Sequence, residues 1–155
     1  MKATVFLETD RARKRELLER LSVSLPAWFG QPASNARYAQ QAEILDGYVA
    51  EIDGVRRGLL LVKWTGPLGA EIFWLGVDPT CHRSGVGRAL VEAASEAARK
   101  RGVKYLFVAT LHPDDPYDPY LRTRKFYEAM GFAHVLDEQF AADSHNPLAY
   151  YLKQL

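Results

Sequence analysis

Gly85 and Gly87 fall in the run His82-Arg83-Ser84-Gly85-Val86-Gly87, after the apolar stretch EIFWLGV at 71–77 and before a segment of helical periodicity. The first turn of a helix presents N–H groups with no partner inside the helix, and its dipole favours an anion. Glycine lets that backbone approach phosphate oxygens closely. Arg83 and Arg88 flank the turn and can add charge-assisted contacts without a metal. Strand-to-helix turns also use glycine for geometry alone, so the pair by itself does not decide between phosphate binding and packing. The dinucleotide fingerprint needs a third glycine where Leu90 stands, and the P-loop signature is absent.

Elements of known period must position this turn. Residues 4–7 read as a short strand, and Asp10 can cap a helix whose Leu17, Leu18, Leu21 and Leu25 recur at helical spacing until Pro26. A thinner helix fits 32–42. Segments 48–52 and 58–64 form an expected antiparallel pair around the turn signal Asp53-Gly54. The nearly all-apolar 71–77 reads as a central strand buried on both faces. Val86, Leu90, Ala94, Ala97 and Ala98 give a helix over 85–101 with Gly102 as its left-handed cap, and 105–110 reads as the next strand, so the unit is a parallel crossover. Residues 111–119, with three prolines and three aspartates, form a loop; a helix over 120–130 stops at Gly131, Phe132 opens a strand, and 149–155 closes the chain.

The 155 residues fit one domain, because a chain of this size buries roughly 70% of its unfolded surface. A formal charge of +1 provides no long-range field for a nucleic-acid backbone or an anionic membrane, and both are excluded as expected partners. The single cysteine, Cys81, rules out an internal disulfide framework, and no Cys/His cluster has metal-ligand spacing. His112, His134 and His145 read as isolated surface or loop residues. A cytoplasmic setting follows as the default, since no apolar run is long enough for a secretory signal or a span.

The runs VDPTCHRSGVGRALVEAA from Val77 and RKFYEAMGF from Arg124 resemble the GNAT superfamily of N-acetyltransferases. Its first signature is Gln or Arg, two residues, Gly, one residue, then Gly or Ala; Gly85 and Gly87 match the second half, and His82 takes the Gln/Arg place. The resemblance covers nearly the whole chain. It implies an α/β (α+β) fold with a mixed, mainly antiparallel sheet flanked by helices, and acetyl-coenzyme A as cosubstrate with no metal. It further implies that Leu75, Gly76 and Val77 form a bulge-splayed strand end that hydrogen-bonds the pantetheine arm, and that His82, Arg83, Ser84, Gly85, Val86, Gly87 and Arg88 grip the pyrophosphate. Phe126 and Tyr127 fall on the second pattern, in which a tyrosine lies beside the thioester sulfur and acts as the acid. Tyr120 stands where an asparagine that contacts pantetheine is common.

Acetyl transfer to an amine needs an unprotonated nucleophile, oxyanion stabilisation and a proton for the thiolate. The Val77 N–H is the oxyanion candidate, and Tyr127 is the acid or else an aromatic packed at the helix end with its hydroxyl in water. Glu71 matches a glutamate of several family members, so it reads either as the base or as an exposed strand-end residue. Cys81 reads as packing. Asp114, Asp115 and Asp118 read as turn chemistry, with attraction of a cationic acceptor as the alternative; Trp28, Phe29 and Tyr38 read as acceptor wall or as core. The resulting expectation is an N-acetyltransferase acting on a small-molecule or peptide amine, frequently dimeric in this family. The competing expectations are an acyl-coenzyme A sensor without turnover and an interaction module that kept only the fold.

Overall fold

A computed structural model describes residues 2–138 and 147–155. They form a mixed seven-stranded sheet between helices, with strands β1 (Thr4–Glu8), β2 (Asp46–Ile52), β3 (Val55–Trp64), β4 (Gly69–Val77), β5 (Tyr105–Leu111), β6 (Ala133–Asp137) and β7 (Leu148–Gln154) in the order β1-β2-β3-β4-β5-β7-β6. The helices are α1 (Arg11–Ser24), α2 (Pro32–Ile44), α3 (Val86–Lys100) and α4 (Asp118–Ala129). All neighbouring strands are antiparallel except β4 and β5, joined through α3 as a parallel crossover. None of the described helices is long and apolar enough to cross a membrane.

Local chemistry explains the boundaries. The Asp10 side chain caps α1 by accepting from the Arg13 N–H at 3.0 Å. Asp53 and Gly54 both take positive φ, 51° and 77°, as a two-residue hairpin turn between β2 and β3 requires. Gly102 and Gly131 are left-handed after α3 and α4, at φ 80° and 92°. The proline-rich loop is shorter than the sequence suggests, because Leu111 still belongs to β5 and Asp118 opens α4, with Pro119 in its first turn, where its missing N–H costs nothing.

Two apolar layers sandwich the sheet. On one face Leu17, Leu18 and Leu21 of α1 and Ala39 and Ala42 of α2 pack on Val49, Leu59, Leu61 and Trp74. On the other, Val86, Leu90, Val91, Ala94 and Ala98 of α3 meet Leu60, Val62, Ala70, Ile72, Leu106 and Val108, with Tyr127 and Met130 from the α4 end. Residues 59–62 of β3 are fully buried on both faces. The expectation of two buried faces for β4 fails, although β4 is central: its residues alternate between buried and half-buried. β4 pairs with β5 only over residues 69–71 before the two strands part, which opens a gap along the edge of its far end.

Glu8, at the end of β1, is 8% exposed and accepts a hydrogen bond from Arg56 of β3. Burial alone would raise its carboxyl, but the Arg56 guanidinium and the Asp10 N–H outweigh that and hold it below the ordinary range. A lowered carboxylate contributes stability above its unfolded pKa and loses that contribution as pH falls through the folded value. Glu8→Gln is therefore expected to cost roughly 1–3 kcal/mol at pH 7, with the difference from wild type shrinking in denaturant melts at pH 3. An equal cost at both pH values would assign the effect to packing.

Candidate functional site

Where β4 ends, a side chain organises the backbone. Asp78 accepts from the Thr80 N–H at 2.9 Å and from Arg57 at 2.9 Å, and closes a single 3₁₀ turn over Pro79–Cys81. The chain then needs two left-handed residues, Arg83 at φ 63° and Gly85 at φ 88°, before α3 begins. The first α-helical bond runs from the Ala89 N–H to the Gly85 carbonyl at 3.0 Å. The N–H groups of Gly85, Val86, Gly87 and Arg88 consequently have no acceptor among the described residues. Four donors at a helix N-terminus beside a left-handed turn make a concave anion site.

The side chains of the turn divide into two sets. Arg83, Ser84 and Gly85 are exposed, as is Arg88, which reaches Glu92 only at 4.0 Å. The Val86 side chain is 1% exposed and belongs to the core, so only its N–H remains for a ligand. Gly87 has a packing reason of its own: a Cβ there would lie 3.1 Å from the Phe126 ring, so α4 is seated directly on the start of α3. His82 turns back, and its Nε2 donates to the Val77 carbonyl at 2.9 Å, with the ring edge on Trp28 at 5.9 Å.

A bulge in β4 sets its far end. Leu61 pairs with Trp74 and Val62 with Ile72, so Phe73 is an extra residue that shifts the side-chain alternation. Leu75 and Val77 consequently lie against the α3 side, and the Trp74 indole folds across Gly76. Trp74 Nε1 on β4 and Thr110 Oγ1 on β5 are buried without a partner among the described residues. Buried polar atoms are rarely left so. Their place on the two diverging strands suits a ligand that enters the gap.

Tyr127 is 4% exposed, with Phe126 and Phe132 edge-on at 5.2 and 5.4 Å. The ring sits within the core under α3, and its hydroxyl makes no hydrogen bond among the described residues. Burial pushes its hydroxyl pKa well above the ordinary value. Glu71 lies on the opposite face from its buried neighbours Ala70 and Ile72, beside Lys63 on β3 and Phe107 on β5. Burial raises its carboxyl pKa, opposed by the Lys63 charge. The two catalytic candidates thus flank the divergence of β4 and β5 from opposite faces of the sheet.

Aromatic residues line the Glu71 face. Phe29 stacks on Trp74 at 4.9 Å, and Tyr38 meets Phe73 edge-on at 5.7 Å. Trp28 Nε1 donates to Thr123 Oγ1 at 3.0 Å, and the Tyr120 and Tyr117 hydroxyls donate to the carbonyls of Trp28 and Ala27 at 3.0 and 2.8 Å. The α1–α2 connection is thereby clamped to the start of α4. Burial pushes the Tyr120 hydroxyl up to about 12, so it stays a donor committed to Trp28. Phe73, Phe107 and Tyr150, which tilts against Phe107 at 6.3 Å, are neighbours of Glu71 that sequence reasoning missed. No sequence signal marks the last two, because the nearly all-apolar YLFVATL of β5 does not show which face each residue takes or that β7 pairs with it.

Of the loop aspartates, Asp115 accepts from the Tyr117 N–H at 2.9 Å and Asp118 lies in the first turn of α4, both local turn roles. The reading of His112 and His134 as isolated is overturned. The fold brings them together, with both Nε2 atoms on Asp137 Oδ1, because the β5 end and β6 lie on either side of β7. Sequence spacing could not show this, since the two histidines stand 22 positions apart. His145 lies outside the described residues.

Comparison with known proteins agrees with this geometry. Residues 14–132 match the model of the acetyltransferase (GNAT) family. A GNAT-family protein from Desulfovibrio desulfuricans superposes with a TM-score of 0.85 at 19% identity, over 99% of each chain. A GNAT-family acetyltransferase from Elizabethkingia anophelis, solved with acetyl-CoA bound, gives 0.66 at 15% over 84% of this chain and 88% of that one. The ribosomal-protein-S18-alanine N-acetyltransferase from Escherichia coli gives 0.73 at 17% over 97% and 94%. No curated protein matches the chain significantly by sequence. With a glycine turn opening α3 at the mouth of a splayed β4–β5 pair and a family match over most of its length, this chain belongs to the acetyltransferase (GNAT) family.

Proposed function

We propose that this protein transfers an acetyl group from acetyl-coenzyme A to a primary amine of a small molecule or peptide, as a single cytoplasmic domain. The observation that carries the reading is the set of four unpartnered N–H groups from Gly85 to Arg88, at the end of a strand that has parted from its neighbour. In this reading they hold the pyrophosphate, Arg83 and Arg88 add charge from the rim, and the pantetheine arm enters between β4 and β5 beside Leu75, Gly76 and Val77. His82 contributes indirectly, by tying down the Val77 carbonyl. Phe126 packs the turn from below. Tyr120 holds the acceptor wall instead of the pantetheine.

The reaction forms a C–N bond as the amine attacks the thioester carbon and breaks the C–S bond, and one proton passes on balance from the nitrogen to the sulfur. The Val77 N–H serves the oxyanion, Glu71 takes the amine proton directly or through a water, and the Tyr127 hydroxyl faces the departing sulfur. Calorimetric titration with acetyl-coenzyme A, followed by an amine panel with thiol release as the readout, tests the whole reading. Absence of binding removes it, and binding without turnover of any amine turns it into a sensor.

Glu71 supplies a pH test. Its raised pKa means that the basic form appears only above the ordinary carboxylate value of about 4.3, so kcat/KM should fall as pH drops through the raised value. Glu71→Gln should remove that limb and lower kcat by about 10² or more. For folding the sign is opposite: a carboxyl with a raised native pKa loses its stabilising contribution as pH rises through that value. Glu71→Gln should therefore be as stable as wild type or more so at pH 7. A variant with unchanged turnover would return Glu71 to a strand-end residue.

A further inference from the structure

His112, His134 and Asp137 offer two imidazole nitrogens and a carboxylate oxygen, all within 4.8 Å of one another. We propose that they bind one divalent cation of the zinc class, separate from the acetyl-transfer chemistry, which clips the loop after β5 to the edge strand β6.

Each ligand is aimed by the fold. The β6–β7 register slips between His134 and Leu136, so Val135 is an extra residue. Three positions apart on a regular strand would put His134 and Asp137 on opposite faces; the bulge returns them to one face. The His134 ring lies flat on Tyr151, with centroids 5.3 Å apart and 12° between planes, and Tyr151 is itself buried. His112 follows β5 directly and is held at its backbone by the Pro147 carbonyl at 2.8 Å. Its ring edge meets His134 at 5.4 Å. Asp137 Oδ1 receives His112 Nε2 at 3.0 Å and His134 Nε2 at 2.6 Å, so the three donors already converge.

The spacing and donor set select the ion. Metal–ligand bonds of about 2.0–2.1 Å in tetrahedral geometry put ligand atoms roughly 3.3 Å apart, and separations from 2.6 Å to within 4.8 Å bracket that value. Two nitrogens in three donors disfavour Ca²⁺ and Mg²⁺ and favour Zn²⁺, Co²⁺, Ni²⁺ or Cu²⁺. A fourth position stays open to water. His112 Nδ1 now accepts the Asp114 N–H at 3.0 Å, so its neutral ring carries the proton on Nε2. Coordination through Nε2 moves that proton to Nδ1 and displaces the Asp114 N–H contact; the Asp114 carboxylate, 3.7 Å away and beyond hydrogen-bond reach, becomes the outer partner that ligating histidines usually have only by closing on the ring. The nearest buried cation, Arg124, is turned to the Leu111 carbonyl at 2.9 Å.

The test uses the full chain without an affinity tag, stripped by a chelator and titrated with Co²⁺ and then Zn²⁺. Expected are one equivalent of Co²⁺ with visible d–d absorption, its displacement by Zn²⁺, and a rise in Tm of roughly 5–10 °C when free Zn²⁺ exceeds Kd about 100-fold. His112→Gln, His134→Gln and Asp137→Asn should each weaken binding at least about 10-fold, since loss of an outer partner alone costs that much. Metal-free melts of the three variants show that each is folded before its affinity is read. The proposal is overturned if wild type shows no saturable Co²⁺ band, or if folded His134→Gln and Asp137→Asn bind like wild type. It is also overturned if Cys81→Ser, in place of these variants, abolishes the band.

Discussion

Tyr127→Phe is expected to leave acetyl-coenzyme A affinity close to wild type and to lower kcat and kcat/KM together by about 10² to 10³. The ring carries the packing, and it is the same in phenylalanine, with Phe126 and Phe132 still edge-on. The hydroxyl makes no hydrogen bond among the described residues, so its removal deprives the fold of nothing and stability should hold or rise. Its raised pKa decides how it can act. A thiol of ordinary pKa near 8.5 is a far stronger acid than this phenol, so complete transfer of the tyrosine proton to sulfur would run uphill. The hydroxyl serves better as a fixed hydrogen-bond donor to charge developing on sulfur, while the amine proton completes the thiol through water. Removing one such donor carries the magnitude given, which is the range for an oxyanion-hole group. The comparison requires saturating acetyl-coenzyme A and a pre-steady-state measurement, because slow product release can hide a chemical defect. An unchanged chemical step would leave Tyr127 as core packing alone.

Gly87→Asp and Gly87→Ala form the second comparison, and the pair is needed because the structure gives Gly87 two roles. Either substitution adds a Cβ about 3.1 Å from Phe126, tighter than ordinary contact, so the α3–α4 junction must yield in both. Aspartate also places a carboxylate in the first turn of α3, which favours the helix by roughly 0.3–1 kcal/mol. Gly87→Asp should thus be at least as stable as Gly87→Ala. Binding should separate them in the other direction. The carboxylate competes with the pyrophosphate for the N–H donors of residues 85–88 and repels its charge. Losing two charge-assisted hydrogen bonds at about 1.5–3 kcal/mol each predicts an acetyl-coenzyme A Kd about 10² to 10⁴ above that of Gly87→Ala. Equal affinities in the two variants would move the pyrophosphate elsewhere and leave Gly87 as a packing glycine.

The sequence by itself determined the parts whose physics is local. Asp10 before the periodic leucines, Asp53-Gly54 between two β-rich runs, and Gly102 and Gly131 at helix ends each act on a few adjacent residues, and each does so in the structure. The glycine turn into α3 was legible for the same reason, because its free N–H groups follow from where a helix begins. Tertiary structure decided what depends on partners distant in the chain. β4 looked buried on both faces, but an apolar run cannot reveal that its neighbour departs after residue 71 and leaves a gap. Gly87 looked like a ligand glycine, and only the approach of Phe126 from α4 shows that it is also a packing one. Tyr127 and Glu71 were chosen by motif position, and only the packing of the α4 end on the Ala70 and Ile72 face, with Glu71 turned to the other, puts them on opposite faces of the sheet. The histidines make the sharpest case. His112 and His134 carry no spacing that links them, yet a strand order that inserts β7 between β5 and β6, and one bulge at Val135, bring both imidazoles onto Asp137. Long-range pairing and register fix such a cluster, and neither is written in any short window of the sequence.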